Sequence, residues 1–219
     1  MAHGREIDFR ERNFAGRFEV TPSAQIAGVI LSGGASRRMG TPKALLKFQD
    51  ETFLDRLIGV FGRVCDPVIV VVGTHAEPIR TGAARASQVL FAENPDPERG
   101  MLSSLQCGLA LVPKDAAAAM FLPVDHPHLA PDTVELLAAR FRRDRAMVTV
   151  PTYAGEHGHP VCIARELIDE LLALPPEAMA SDVIHRHIPR TVYVEVSDPA
   201  VVTDVDDPAA YAELLARHV

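Results

Sequence analysis

A run rich in small and basic residues lies early in the chain, Ser32-Gly33-Gly34-Ala35-Ser36-Arg37-Arg38-Met39-Gly40-Thr41-Pro42-Lys43. Gly33 and Gly34 carry no Cβ, so backbone N–H groups there can approach a ligand closely. Arg37, Arg38, Lys43 and Lys47 add positive charge, and no acidic residue falls between Ser32 and Gln49. In a chain of net charge -7, that local excess needs a cause. A polyphosphate cradled by backbone donors and gripped by Arg and Lys supplies one. Two familiar phosphate loops do not fit. Ala44 follows Lys43 where Gly-Lys-Ser/Thr needs a hydroxyl, and Gly40 stands at the wrong distance for G-x-G-x-x-G. The competing reading is a surface loop of solvated charges.

Three further segments carry groups able to do chemistry. Asp125-His126-Pro127 follows the apolar run Met120–Val124. A carboxylate at the carboxyl end of a central strand is well placed for Mg²⁺, which takes oxygen ligands; an Asx-turn before Pro127 is the structural alternative. From Asn94 to Leu105 the sequence reads as a turn-rich loop feeding a helix. Its free N–H groups and the hydroxyls of Ser103 and Ser104 suit a base edge or a ribose, while helix capping by Ser103 is sufficient without a ligand. His157-Gly158-His159-Pro160, with His126 and His128, invites a zinc reading. The spacing is not one of the usual ligand patterns, and His157 and His159 are expected to point to opposite sides of the chain.

Elements that could position these groups emerge from Gln25 onward. Short apolar runs at Ile26–Leu31, Val68–Val72, Met120–Val124, Met147–Val150 and Val192–Val196 suit strands covered on both faces. Helical patterns alternate with them. Phe53, Leu54, Leu57, Ile58 and Phe61 share a face after a Thr52 cap. Leu105, Leu109 and Val112 follow a capping-type Ser103, and Val134, Leu137, Ala138 and Phe141 follow Pro131 and Asp132. A last helix opens at Asp207-Pro208 and is expected to bury Tyr211, Leu214 and Leu215. This alternation predicts a mostly parallel sheet with helices on both faces, with ligands at the carboxyl ends of its strands.

Composition narrows the function. A length of 219 residues suits one core, here assigned to residues 25–219 as a single domain, with residues 1–24 as an N-terminal extension. Only 5% of the chain is aromatic and Trp is absent, so a base-stacking surface for nucleic acid is not expected, and the negative charge argues the same way. Cys65, Cys107 and Cys162 are odd in number and widely spaced, which predicts reduced thiols of a cytoplasmic protein. No apolar run reaches a membrane span, so no membrane partner is expected.

The segment from Leu31 to Lys43 closely resembles the signature L-x-x-G-x-S-x-R-M-G-x-x-K of the nucleotidyltransferase superfamily, and most of all its MobA/MocA-like members, the molybdenum cofactor guanylyl- and cytidylyltransferases. The resemblance runs from Ala27 almost to the end. It implies a three-layer α/β/α sandwich of the nucleotide-diphospho-sugar transferase type. Leu31, Ser32, Gly33 and Gly34 would then lie under the nucleotide, with Arg38 and Lys43 on the triphosphate. Asn94–Leu105 is similar to the N-P-x-x-x-x-G-L-x-x-S segment of the cytidylyl branch, which puts Gly100 and Ser104 at the base. Asp125 matches the D-x-P motif whose Asp binds Mg²⁺. Asp206, in Thr203–Pro208, matches the position that completes the metal site, while Asp207 stands where relatives have Thr and reads as a cap. Gly158, His159 and Pro160 match a G-H-P motif facing the acceptor.

What the resemblance implies is transfer of CMP from CTP to molybdopterin, with a molybdoenzyme or its chaperone as a further partner. Ser32-Gly33-Gly34 looks more like the guanylyl branch and pulls toward GTP. Gly100–Ser104 and Gly158-His159-Pro160 pull toward CTP and carry more weight. A sugar 1-phosphate acceptor, and a catalytically silent nucleotide-binding or chaperone module, are the alternatives. On the sequence alone, removing the Lys43 charge is expected to leave stability unchanged or slightly raised, by easing repulsion from Arg37, Arg38 and Lys47.

Overall fold

Ile26–Ser32 forms a strand in which every residue is buried. An element covered on both faces must lie inside the sheet, and this one does. The computed structural model describes residues 25–36, 38–175 and 178–217. The N-terminal extension and Arg37 lie outside the described residues. The strands are β1 (Ile26–Ser32), β2 (Lys47–Phe48), β3 (Glu51–Thr52), β4 (Val68–Val72), β5 (Leu90–Glu93), β6 (Ala118–Pro123), β7 (Val148–Tyr153), β8 (Glu156–His157), β9 (Val161–Ala164) and β10 (Thr191–Glu195). The helices are α1 (Phe53–Phe61), α2 (Ala76–Gly82), α3 (Met101–Leu109), α4 (Pro131–Asp144), α5 (Arg165–Leu172), α6 (Ala180–Arg186) and α7 (Pro208–Arg217).

Among the described residues, an eight-stranded sheet runs β5-β4-β1-β6-β9-β7-β10, with β8 paired to β7. β1 lies parallel between β4 and β6, and β5 and β10 are parallel to their neighbours. β9 is antiparallel to both β6 and β7. The sheet is therefore mostly parallel, as expected, with β9 and the short β8 running antiparallel to their neighbours.

Successive residues of β1 point to opposite faces, and the contacts at Gly28 and Val29 identify what covers each. A Cβ on Gly28 would lie 2.6 Å from Phe61 of α1. On the other face Val29 and Val71 meet Gly108 of α3. α4 flanks α1, where Arg63 bonds Glu135, and α5 flanks α3, where Gln106 donates to the carbonyls of Leu171 and Leu174. The result is a helix–sheet–helix sandwich. No helix among the described residues is long and apolar enough to cross a membrane.

Two helix starts follow the sequence reading. Thr52 Oγ1 accepts from Asp55 N at 3.0 Å, and Asp207 Oδ1 accepts from the N–H groups of Ala209 and Ala210. Two expectations need correction. Ser103 does not cap α3: it lies inside the first turn, and its hydroxyl donates back to Gly100 O at 2.8 Å. Leu215 stays 38% exposed, because α7 buries Leu214 and turns Tyr211 toward Phe53 and the Lys47 carbonyl. The edge strand β5 is also new; it is short, with one buried residue and no alternation to announce it.

The approach of α3 to the sheet generates a test. Gly108→Ala favours a helix by about 1 kcal/mol on propensity alone. Here the added Cβ would sit 2.5 Å from Val29 Cγ1 and 2.8 Å from Val71 Cγ2, both in a packed sheet. Overpacking wins, and the variant is expected to lose about 1–3 kcal/mol, read as a lower melting temperature. A rise in that temperature would mean that α3 does not rest on this glycine.

Candidate active site

The carboxyl ends of β1 and β6, the loop after β1 and the start of α3 enclose a cleft of about 500 Å³. Leu31, Ser32, Gly33, Gly34, Arg38, Lys43, Gly100, Ser104, Asp125 and Asp206 all line it. These come from four stretches of chain. Gly158, His159 and Pro160 are not among its lining residues.

The floor is built by close backbone approach. Gly73, directly after β4, lies so near Gly33 that a Cβ there would meet Gly33 O at 2.4 Å. A Cβ on Gly33 would in turn lie 2.8 Å from Ser104 Oγ, so the glycine loop and the start of α3 touch. Gly100 precedes α3 at φ 91°, a conformation that favours glycine. Buried Asn94 donates to the hydroxyls of Ser103 and Ser104, both at 2.9 Å, and accepts from Asp96 N. Asn94 thereby fixes the hydroxyl that faces the cleft. The glycine after a buried Val-rich strand was the available signal for Gly73; the role of Asn94 had no signal beyond its place at the head of the segment.

Charge is concentrated at one end of the cleft. Lys43 Nζ donates to Asp125 Oδ2 at 3.0 Å and to Asp206 Oδ1 at 2.6 Å. Arg38 donates to the other Asp206 oxygen at 3.0 Å. The Lys43 backbone is held too, its N–H donating to Ser36 Oγ at 3.0 Å. Burial pulls the Lys43 pKa down, but the bonds and charges of Asp206 and Asp125 outweigh it and hold the group above its usual value. The bond from Lys43 holds Asp206 below the ordinary carboxylate range against some desolvation, with help from Arg38. Among the described residues Asp125 Oδ1 is buried without a hydrogen-bond partner; His126 Nε2 is 3.9 Å away, too far to donate. Two convergent carboxylates, one with a spare buried oxygen, form a donor set that fits a hard divalent cation.

The histidines divide. His126 lies 2.9 Å from Ala200 O through Nδ1, and its ring packs on His159 with centroids 5.5 Å apart. His157 instead stacks on Tyr193. Burial, and then the neighbouring His126, push His159 down to about 4 despite Asp125, so it is neutral near pH 7. Gly158 has a packing reason to be glycine, since a Cβ would meet Val201 O at 2.2 Å.

The profile of the MobA-like NTP transferase domain matches residues 28–192, a span that holds the glycine loop, α3 and Asp125. The chain belongs to this family. It is 26% identical over 191 residues to the molybdenum cofactor cytidylyltransferase of Escherichia coli, covering 87% of this chain and 95% of that one. A probable molybdenum cofactor guanylyltransferase of Mycobacterium marinum is 28% identical over 195 residues, covering 85% and 92%. The crystal structure of a Mycobacterium tuberculosis protein in complex with manganese superposes with a TM-score of 0.70 at 29% identity, covering 89% of this chain and 100% of that one. The family makes this chain a nucleotidyltransferase. Its fold is that of the nucleotide-diphospho-sugar transferases, seen also in a 4-diphosphocytidyl-2C-methyl-D-erythritol synthase structure from Anaerococcus prevotii at TM-score 0.70, with 10% identity over 88% of this chain and 95% of that one.

The pairing of Lys43 reverses the stability expectation drawn from the basic run. Its ammonium bridges two carboxylates, one of which Arg38 bonds as well. Lys43→Met is expected to cost about 1–3 kcal/mol in the unliganded protein, between the limits for surface and buried pairs. The Asp206 contribution is present above the ordinary carboxylate range and is lost as pH falls through its lowered pKa. The Lys43 contribution is present below the ordinary ammonium value and is lost as pH rises through its raised one. Urea denaturation should find the gap between wild type and variant widest near neutrality, shrinking as pH falls below the ordinary carboxylate range and as it rises above the ordinary ammonium value. A gap that is absent at neutral pH would contradict the pairing.

Proposed function

We propose that this nucleotidyltransferase moves CMP from CTP onto the phosphate of molybdopterin and releases pyrophosphate, with Mg²⁺ held by Asp125 and Asp206. The observation that carries the reading is the meeting, in one cleft, of the Gly33-Gly34 loop with Arg38, Lys43 and two carboxylates. The acceptor phosphate is already anionic, so its attack on the α-phosphorus needs no general base. What the chain must supply is alignment and charge neutralisation. The glycine loop and the N–H groups at the start of α3 hold the nucleotide, and Gly100 and Ser104 face the base. Arg38 and Lys43 bear on the phosphates and on the charge that grows on the leaving pyrophosphate. Mg²⁺, when bound, neutralises and orients phosphate oxygens.

The strand order supports placing the two substrates on either side of Asp125, with the acceptor beyond the residues that line the cleft. β6 carries Asp125 and lies between β1, which leads into the glycine loop, and β9, which follows Gly158-His159-Pro160. The donor then sits on one side of Asp125 and the acceptor on the other. Neutral His159 offers the acceptor a hydrogen bond without charge. For the base, Gly100–Ser104 and the cytidylyl relative support CTP; the guanylyl relatives and Ser32-Gly33-Gly34 support GTP. The start of α3 weighs more, because Ser104 presents a fixed hydroxyl to the cleft.

Four nucleoside triphosphates assayed against molybdopterin and against sugar 1-phosphates, scored by pyrophosphate release, test the donor and the acceptor together. CTP with molybdopterin is expected to give the highest kcat/KM. A preference for GTP would assign base choice to Ser32-Gly33-Gly34, and turnover of a sugar phosphate alone would replace the acceptor.

The chemistry itself is tested by Lys43→Met and Asp125→Asn in single-turnover assays at saturating nucleotide. Each is expected to slow pyrophosphate release about 10²-fold or more, on the order of 3 kcal/mol. Activity within about tenfold of wild type, a loss of roughly 1.4 kcal/mol, in a folded Asp125→Asn protein would remove Asp125 as the principal metal ligand. Full activity in Lys43→Met would remove the phosphate grip.

A further inference from the structure

Asp206 is delivered to the cleft by a strap of chain that has to travel. β10 ends at Glu195 on the far edge of the sheet, whereas Asp206 bonds Lys43 and Arg38 beside the central strands. Between them the chain passes across the carboxyl ends of β7 and β6 and the amino end of β9, with Ala200, Val201 and Val205 buried. Three ties along the way use its backbone. His126 Nδ1 lies 2.9 Å from Ala200 O, His159 N donates to Val201 O at 2.8 Å, and Val205 N donates to Asp125 O at 2.8 Å.

A further tie is a side chain near the start of the strap. Asp198 Oδ2 accepts from Ala130 N at 2.9 Å and from Thr133 Oγ1 at 2.8 Å. Its other oxygen accepts from Ala200 N at 3.0 Å. α4 has no side-chain cap from its own N-cap residue, Ala130, so a carboxylate from 68 residues away serves instead. The negative charge also suits that helix end. The same carboxylate therefore locks onto a rigid helix with one oxygen and sets the turn Pro199–Val201 with the other. That turn aims the carbonyls of Ala200 and Val201 at His126 and His159.

We infer that Asp198 is a positioning residue for Asp206, clamping the strap to the start of α4 so that the Asp206 carboxylate is held beside Asp125. The inference rests on the reading of Asp206 as a metal-side carboxylate. It separates from a purely structural role because the two oxygens do different things. In Asp198→Asn the amide has one acceptor, so it can keep the cap on α4 or the bond to Ala200 N, and not both. Asp198→Ala loses the two together.

The test is Mn²⁺ binding to the full chain, followed by the electron paramagnetic resonance signal of free Mn²⁺, together with melting curves. Asp198→Ala is expected to weaken Mn²⁺ binding about tenfold and to lower the melting temperature. Asp198→Asn is expected to weaken Mn²⁺ binding with a smaller thermal loss. When either is combined with Asp206→Asn, it should weaken Mn²⁺ no further, while the thermal loss remains. Unchanged Mn²⁺ affinity in both single variants, with Asp206→Asn impaired, would overturn the inference and leave Asp206 as a ligand. Losses that multiply in the double variants would also overturn it, since Asp198 would not then act through Asp206. If Asp206→Asn binds Mn²⁺ as wild type does, the metal reading of Asp206 falls first and the inference falls with it.

Discussion

Two carboxylates placed side by side at the edge of a protein interior repel each other and lose water, and a fold that brings them together must supply a cation. Here the cation is the Lys43 ammonium, bonded at once to Asp125 and Asp206. That one group joins the loop after β1, the end of β6 and the segment before α7. Its own backbone is held by Ser36, a residue at φ 48° within the glycine loop, so the loop conformation is part of what sets the ammonium in place. The charge balance of the unliganded cleft is therefore internal. A phosphate entering the proposed site would not find bare cations, and a metal would not find bare carboxylates. On the proposed reading, substrate and metal would each take partners from this ion pair, and together they would satisfy both sides of it.

Close packing of backbone makes this arrangement specific. Gly73 brings β4 against Gly33, and Gly33 meets Ser104, whose hydroxyl is held by buried Asn94. The glycine loop thus rests on the neighbouring strand and on α3 rather than hanging free over the cleft. Gly158 does the same on the far side, admitting the Val201 carbonyl and letting His159 N bond to it. Each of these positions excludes a methyl group for reasons of distance, which ties the shape of the cleft to the packing of the sheet beneath it.

How much of this the sequence disclosed depends on how far apart the partners lie. Thr52 and Asp207 were legible as caps because a cap bonds N–H groups two or three residues away. β1 and β4 were legible because a strand buried on both faces is apolar throughout. Ser103 was misread because its hydroxyl can serve a helix start or an interior carbonyl, and Gly100 decides which. The bonds of Lys43 to residues 82 and 163 positions away left no local trace, so a run of positive charge looked like self-repulsion. The cap that Asp198 gives to α4 was hidden for the same reason. The residues of the cleft could be collected by motif, whereas their pairing could not.

The direction of β9 is the feature with the largest bearing on the proposed reaction. A strand parallel to β6 would begin at the opposite edge of the sheet, and the residues ahead of it would lie far from Asp125. β9 is antiparallel, pairing Val161 with Phe121 near the carboxyl end of β6 and Ala164 with Ala118 at its start. The segment just before β9 therefore arrives at the same edge as Asp125, and His159 packs on His126 there. One reversed strand thus gives the sheet a carboxyl edge fed from both sides, by a loop that leaves β1 and by a segment that enters β9. A transfer between two substrates needs both to reach one phosphorus. In the proposed reaction the reversal of β9 would open a second approach to the same carboxylate.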